Sequence, residues 1–492
     1  MKTTALCAGL AMLAVFPCLA QQRPSPTPRP SKPLDEFILR PDFWTAPLVK
    51  PEAAPAETAP AQAGEAPPPN SESNPAPAAP GSNTEAPAPT TPPAPTPPPE
   101  PFKALAFEWT SAAKTSARSV GRNTFKERPI FETLISCKDG IPVSAVLYYY
   151  NRGDAGSVIK DTFNKMVAAV TADLTAISGT SPTDLGREAS SAVRAEGLVW
   201  QNKDRRFVLE WSVTRESVAK MTPFRAEFLR LTITPPVSNA PRAIGSSTNT
   251  PTSRDIVKAF KGTDHIDKAI NGDVKLRDVP MVDQGSKGYC VVASVNRVMQ
   301  YYGVQTDQHE LAQIAGSDAA AGTSVDAMVN SLKKLTARLG VKIKSPYEWN
   351  YRDFMELISD YNRAAKRAKA PEIEVTYSST MESIYRVIRP DIYKTVRVKD
   401  SAGFGKFQRE VQRSIDEGIP VLWGVRLGLV KEKEIPQAFG GHMRLIIGYN
   451  LKTREIIYSD SWGMGHEEKR MAMDDAWTIT DTLARIEPLS KS

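Results

Sequence analysis

The chain has little of what several protein classes depend on. Four cysteines in 492 residues are too few for a disulfide-stapled scaffold. Four histidines, His265, His309, His442 and His466, leave few candidates for base chemistry. Cysteine and histidine never stand at zinc spacing, and there is no phosphate loop or dinucleotide fingerprint. No metal and no cofactor are therefore expected. Beyond the N-terminus no apolar run approaches the roughly 18 residues that span a bilayer, which excludes a multi-span transporter. Composition and pattern also exclude a collagen and a coiled-coil rod. Without an arginine-rich run or aromatic–basic interleaving, nucleic acid is not an expected partner.

What is present is unevenly spread. Of 41 prolines, 25 lie between Gln21 and Phe102. Residues 21–102 read as a Pro/Ala-rich disordered linker, semi-rigid through polyproline II conformation. That leaves material for two folded domains from Lys103 onward. The formal charge of +7 divides into −4 for 21–102 and +10 for the folded remainder, with Lys2 supplying the rest. A mildly basic body suits an anionic cell envelope or an acidic partner; a solvated basic surface is the simpler alternative. Residues 1–20 read as a signal peptide. Lys2 leads an apolar stretch, and Cys18-Leu19-Ala20 before Gln21 offers small residues for cleavage. The protein is expected to be bacterial and exported, periplasmic or secreted, with no stable membrane span once the signal is removed. A lipoprotein anchor at Cys18 or a retained N-terminal anchor are the alternatives.

One patch interrupts the linker. Leu34 to Val49 holds Phe37, Ile38, Leu39, Phe43 and Trp44. It reads as a docking motif for the protein's own body or a partner, or as a functionless sticky patch. It is also a candidate occluder of an active site. Residues 103–237 read as a small α+β domain. Ile130–Ser136 and Val143–Tyr150 are expected strands around an Asp139-Gly140 turn. Val158 to Ile177 carries helical spacing ended by Gly179. No polar constellation there suggests chemistry. Residues 238–275 read as a second linker, and 276–488 as the informative domain.

In that last region Cys290 opens an amphipathic helix with Val291, Val292, Val295, Val298 and Met299. A helix N-terminus favours thiolate over thiol. Such a nucleophile needs a base. His265 falls in the second linker, and His309 reads as an exposed helix start. His442 begins an apolar strand, and a second strand returns after a turn near Asn450–Arg454. A turn centred on Leu451 would set His442 opposite Asp460. Centring it one residue later would make Asp460 a diagonal neighbour on the same face. Either way Asp460 can orient the imidazole. Cys137, at a strand end, reads as a buried free thiol, though a reversible disulfide between Cys137 and Cys290 is a further candidate for latency.

These segments resemble a family. Gln284-Gly285-Ser286-Lys287-Gly288-Tyr289-Cys290, Gly441-His442 before a strand, and Asp460-Ser461-Trp462-Gly463 are similar to the site segments of papain-like cysteine peptidases. Tyr301-Tyr302-Gly303-Val304, Glu310-Leu311-Ala312 and Glu417-Gly418-Ile419-Pro420-Val421 look closer to the bacterial peptidases that trim double-glycine leaders from bacteriocins, and to their stand-alone relatives. The resemblance implies an α+β fold: a papain-like domain whose nucleophile helix packs on an antiparallel sheet, preceded by the small α+β domain and the Pro-rich linker. It implies a catalytic set of Cys290, His442, Asp460 and Gln284, with Gln284 completing an oxyanion hole. The implied activity is hydrolysis of peptide or isopeptide bonds in a peptide or protein substrate. A papain-fold acyltransferase or amidase, and a non-catalytic envelope interaction protein on the same fold, are the alternatives. Three departures stand out. Tyr289 and Val291 replace a small residue and a cysteine beside the nucleophile, Asp460 replaces the usual asparagine, and Lys342–Lys406 looks like an insertion able to cover the cleft.

Overall fold

A computed structural model describes residues 32–48, 107–119, 123–186, 193, 195–214, 224–236, 253–285, 288–304, 306–317, 339–348, 351–432 and 439–489. The expected signal peptide, most of the Pro-rich stretch and residues 237–252 lie outside these.

The first body is an eight-stranded antiparallel sheet with a helix on one face. In spatial order its strands are Phe107–Trp109, Ser116–Ser119, Glu132–Lys138, Ile141–Asn151, Arg225–Thr234, Arg206–Thr214, Ala195–Gln201 and Thr183–Asp184. The expected hairpin is present, with Asp139 and Gly140 both at positive φ in its turn. Alternation along the strands divides the faces. Leu147, Leu231 and Leu209 lie side by side in the register and share a core with Phe163, Val170 and Leu174 of the helix Lys160–Ser178. The other face carries a polar row, Glu132–Tyr148–Arg230–Glu210, each residue directly opposite the next.

Residues 32–48 are not linker. Lys32–Pro33 pairs with Asn123–Thr124, a helical turn spans Asp35–Ile38, and a 3-10 turn spans Pro41–Trp44. Leu34, Ile38, Phe43 and Leu48 are buried in the first body's core beside Phe125, Ile130 and Ile135. Leu48 N–H donates to Gly140 O at 2.9 Å, and Arg205 donates to Leu39 O at 2.7 Å. The apolar side chains find cover on their own domain, so the segment is not an occluder of the second body. Proline density hid a folded segment, because local composition does not report what a distant surface can accept.

The second body is a sheet between two helical layers. Its strand order is Ile266–Lys268, Asp273–Leu276, Gly440–Asn450, Val421–Leu427, Thr480–Pro488 and Val341–Glu348. Glu455–Ser459 and Lys469–Ala472 branch from Gly440–Asn450. On one side lies the helix Cys290–Tyr301, whose Val292, Val295 and Val298 pack with Leu422, Leu445 and Ile457. Burying each such side chain contributes roughly 1.5–3 kcal/mol. On the other side five helices, Tyr351–Arg367, Met381–Val387, Pro390–Lys399, Ser401–Asp416 and Met473–Ile479, surround Trp423 and Trp477.

Two expectations change here. Residues 253–275, read as linker, are folded: Ser253–Ala259 is helical with Val257 in the nucleophile-helix core, and Asp273–Leu276 pairs with Gly440–Asn450. Phe260 packs edge-on against Tyr301 and Tyr302 at 4.9 and 5.0 Å. Within Lys342–Lys406, the strand Val341–Glu348 pairs with Thr480–Pro488, and its helices supply one of the two layers. The region is core rather than a lid laid over a finished fold.

Candidate functional site

The site is built on one hairpin and one helix. Ser459 pairs with Leu445 and Tyr458 with Ile446, with a bulge before Gly448. Carried one residue further, this register sets Asp460 opposite Arg444 and diagonal to His442. The directly opposed register does not form, and the diagonal one does. His442 Nε2 lies 2.6 Å from Asp460 Oδ1. The Asp460 carboxylate also accepts from Ser461 N–H at 2.8 Å and from Arg444 Nε, on Oδ2, at 2.8 Å.

Burial alone would raise the Asp460 carboxyl. His442 and Arg444, with those hydrogen bonds, outweigh it and hold Asp460 well below the usual carboxylate range. Asp460 is therefore ionised and accepts only, so Nε2 of His442 carries the proton and Nδ1 is the basic nitrogen. Arg444 is itself fully buried and raised, its charge favoured by Asp460 and by Glu432, which it grips at 3.0 and 3.1 Å. Tyr458 donates to the same Glu432 at 2.6 Å. Arg444 thus explains why an aspartate can stand where the resembling family has an asparagine.

The Trp462 indole stacks on the His442 ring, centroids 4.6 Å apart and planes 22° from parallel. It keeps water from the His442–Asp460 contact. His466 touches the other edge of Trp462 at 5.5 Å. Its backbone carbonyl accepts from Asp460 N–H at 2.9 Å, which closes the loop.

Gln284 joins the hairpin through Ser461. Its N–H donates to Ser461 O at 2.9 Å, and its Oε1 accepts from Ser461 Oγ at 2.6 Å. Oε1 is thereby the accepting end and Nε2 the donating end. Six residues on, Cys290 starts its helix. Ser294, one turn later, donates to Met443 O at 3.5 Å, next to His442. Arg297, two turns on from Cys290, donates to Pro280 O, Asp460 O and Ser459 Oγ at 2.7, 3.0 and 2.5 Å. Its burial lowers it to about 10. Helix and hairpin are thus pinned by a side chain that the sequence reading passed over. An arginine inside an apolar helical stripe, like Arg444 inside an apolar strand, was the available signal.

Cys290 is fully buried at the start of its helix. Cys137 is a free, buried thiol, raised by burial to about 11. The expected buried free thiol is found, and the Cys137–Cys290 disulfide is not. The chemistry considered below belongs to reduced Cys290. His309, read as exposed, is buried at the meeting of the two bodies, its Nε2 2.9 Å from Glu132 Oε2. His265 Nδ1 lies 3.0 Å from Asp278. Among the described residues no cluster of three or more His, Cys, Asp or Glu is arranged to hold a metal, and no helix is long and apolar enough to cross a membrane.

Residues 276–370 and 372–484 match the Peptidase_C39 like family. This is under half of the chain, and it contains Gln284, Cys290, His442 and Asp460. It supports a papain-like thiol peptidase. No curated protein matches the chain. Among solved structures, it is similar to xylellain, a cysteine protease from Xylella fastidiosa, at 16% identity and a TM-score of 0.25, covering 51% of this chain and 94% of that one.

Proposed function

We propose that the protein is an exported thiol-dependent peptidase that hydrolyses peptide or isopeptide bonds in a peptide or protein substrate. The bond from His442 Nε2 to the ionised, buried Asp460 carries the reading. It turns Nδ1 into a base on the strand against which the Cys290 helix packs. His442 takes the Cys290 proton, giving a thiolate–imidazolium pair. The thiolate attacks the substrate carbonyl carbon. Gln284 Nε2 and the Cys290 N–H stabilise the developing oxyanion, roughly 3–4 kcal/mol per donor. The imidazolium then protonates the leaving amine, and water, deprotonated by His442, cleaves the thioester. Removal of residues 1–20 would take Cys7 and Cys18 with it and leave a mature chain whose two cysteines are Cys137 and Cys290.

The test is profiling of reduced mature protein on a mixed peptide library beside Cys290→Ala. Cleavage by the wild type alone is expected. Equal product from both chains would sink the peptidase reading. Transfer to added amines in preference to water would redirect it to an acyltransferase.

A further inference from the structure

The segment that presents Gln284 and Cys290 is held at both described ends by the first body. At one end Arg118, on the strand Ser116–Ser119, reaches Asp283 with Nη1 3.1 Å from Oδ2. Asp283 Oδ1 accepts from Gly285 N–H at 2.8 Å, so this carboxylate braces the backbone on either side of Gln284. Gly285 lies at φ +70°, and a Cβ there would come 2.6 Å from Arg118 Nη2. The backbone conformation favours glycine, and a side chain there would push the guanidinium off Asp283.

At the other end Tyr289, the residue before Cys290, is 3% exposed. Its phenol sits in a notch over Gly153 of the first body, where any side chain would overlap it. Its ring meets His309 edge-on at 5.5 Å, and Tyr148 lies 4.2 Å beyond His309.

Both ends converge on one carboxylate. Glu132 Oε1 faces Arg118 Nη2 at 3.5 Å, and Glu132 Oε2 faces His309 Nε2 at 2.9 Å. The Glu132 and His309 side chains are each 1% exposed. Removing Glu132 would leave His309 Nε2 buried without its carboxylate and Arg118 with Asp283 alone, which is a far larger perturbation than breaking a surface pair.

We infer that the first body is a working part of the site rather than a removable cover or a tether, and that Glu132 is a positioning residue. Through Arg118 and His309 it sets Asp283 to Gly285 at one end and Tyr289 at the other, and with them Gln284 and Cys290. The inference deepens the peptidase reading and rests on it for its kinetic half. Tyr289, which departs from the small residue of the resembling family, becomes the anchor that a glycine notch on another domain accepts. Small displacements matter here, because a misplacement of about 1 Å at a reacting group costs roughly 100-fold in rate.

The experiment uses the full mature chain, reduced, as wild type, Glu132→Ala, Glu132→Gln, Arg118→Lys and Gly153→Val. Two readouts are taken: kcat and KM on a cleaved peptide, and amide hydrogen exchange at Gly285 and Tyr289. Glu132→Ala is expected to lower kcat at least tenfold with KM within twofold, and to speed exchange at both amides while exchange in the sheet cores is unchanged. Glu132→Gln, which keeps one acceptor oxygen, should recover part of both. Arg118→Lys keeps the charge but replaces the two-pronged guanidinium by a single ammonium, and serves if Glu132→Ala does not fold. A rise in kcat/KM in any variant would overturn the inference in favour of a cover. So would unchanged exchange at Gly285 and Tyr289. If exchange responds but wild type and Cys290→Ala show equal turnover, the grip on the segment stands and the peptidase reading alone falls.

Discussion

The two sheets each bury a row of polar and charged side chains, and the rows are completed in different ways. In the first body Glu132, Tyr148, Arg230 and Glu210 come from four strands and find much of their partnership on another domain. Tyr148 donates to Asp307 at 2.6 Å, Arg230 meets Glu310 at 2.9 Å, and Glu132 meets His309. In the second body His442, Arg444 and Asp460 belong to one hairpin, within 18 residues of each other. Both rows bear the desolvation that makes buried charge a weak source of net stability. The first therefore fixes where two domains dock. The second fixes which nitrogen of one histidine is basic. A row completed within a hairpin can be inferred from spacing; a row completed across an interface cannot.

The largest expected effect separates these rows by chemistry. Cys290→Ala and His442→Ala should each lower kcat by roughly 1,000-fold or more, whereas His466→Ala should not. Steady-state kinetics on a cleaved peptide check this, and an essential His466 would break the assignment of the second row. Cys290→Ser should also lose all but a few per cent of activity while remaining folded by circular dichroism.

Next in size is the second row's own integrity. Arg444→Ala leaves Asp460 and Glu432 buried without their shared cation. It should destabilise the chain by about 3–5 kcal/mol, read as a lowered urea midpoint. A loss under about 1 kcal/mol would mean that water replaces the guanidinium. Asp460→Asn keeps an acceptor for His442 and leaves Arg444 with Glu432, so it should reduce kcat less than Asp460→Ala. Equal kcat in the two variants would remove Asp460 from the site.

The smallest effect sharpens the first row. Burial, with Asp307 and Glu210 nearby, outweighs Arg230 and raises the Glu310 carboxyl to about 7. The folded chain thus holds this proton more tightly than the unfolded chain, where a glutamate titrates near 4.3. Its stabilising contribution is full below about pH 4.3 and is lost as pH rises through about 7. Unfolding free energy should fall by about 2 kcal/mol between pH 5 and pH 8 from this group, and Glu310→Gln should flatten that slope. A slope unchanged in Glu310→Gln would assign the pH dependence elsewhere.

Much of the second body was legible. The helix after Cys290, the strand from His442 and its partner strand follow from apolar spacing, and local spacing placed Asp460 on the face of His442. The register was not legible, because the bulge before Gly448 shifts the pairing and a lone glycine in a strand marks a bulge without saying how the partner is offset. Residues 253–275 look like linker because their polar composition hides a helix whose cover, around Val257, lies far along the chain.

By itself the sequence determined the local matters. Cysteine begins a helix, histidine and aspartate share one face of a hairpin, and glutamine stands six residues before the cysteine. Periodicity and short-range geometry act within a few turns of chain, so they can be read there. Only the tertiary structure decided that Asp460 is charge-balanced by Arg444, that Arg297 ties helix to hairpin, that residues 32–48 fold onto the first body, and that His309 and Tyr289 are buried against it. Each of those depends on desolvation and on partners brought together from far along the chain, and a residue's cost of burial is set by what faces it after folding.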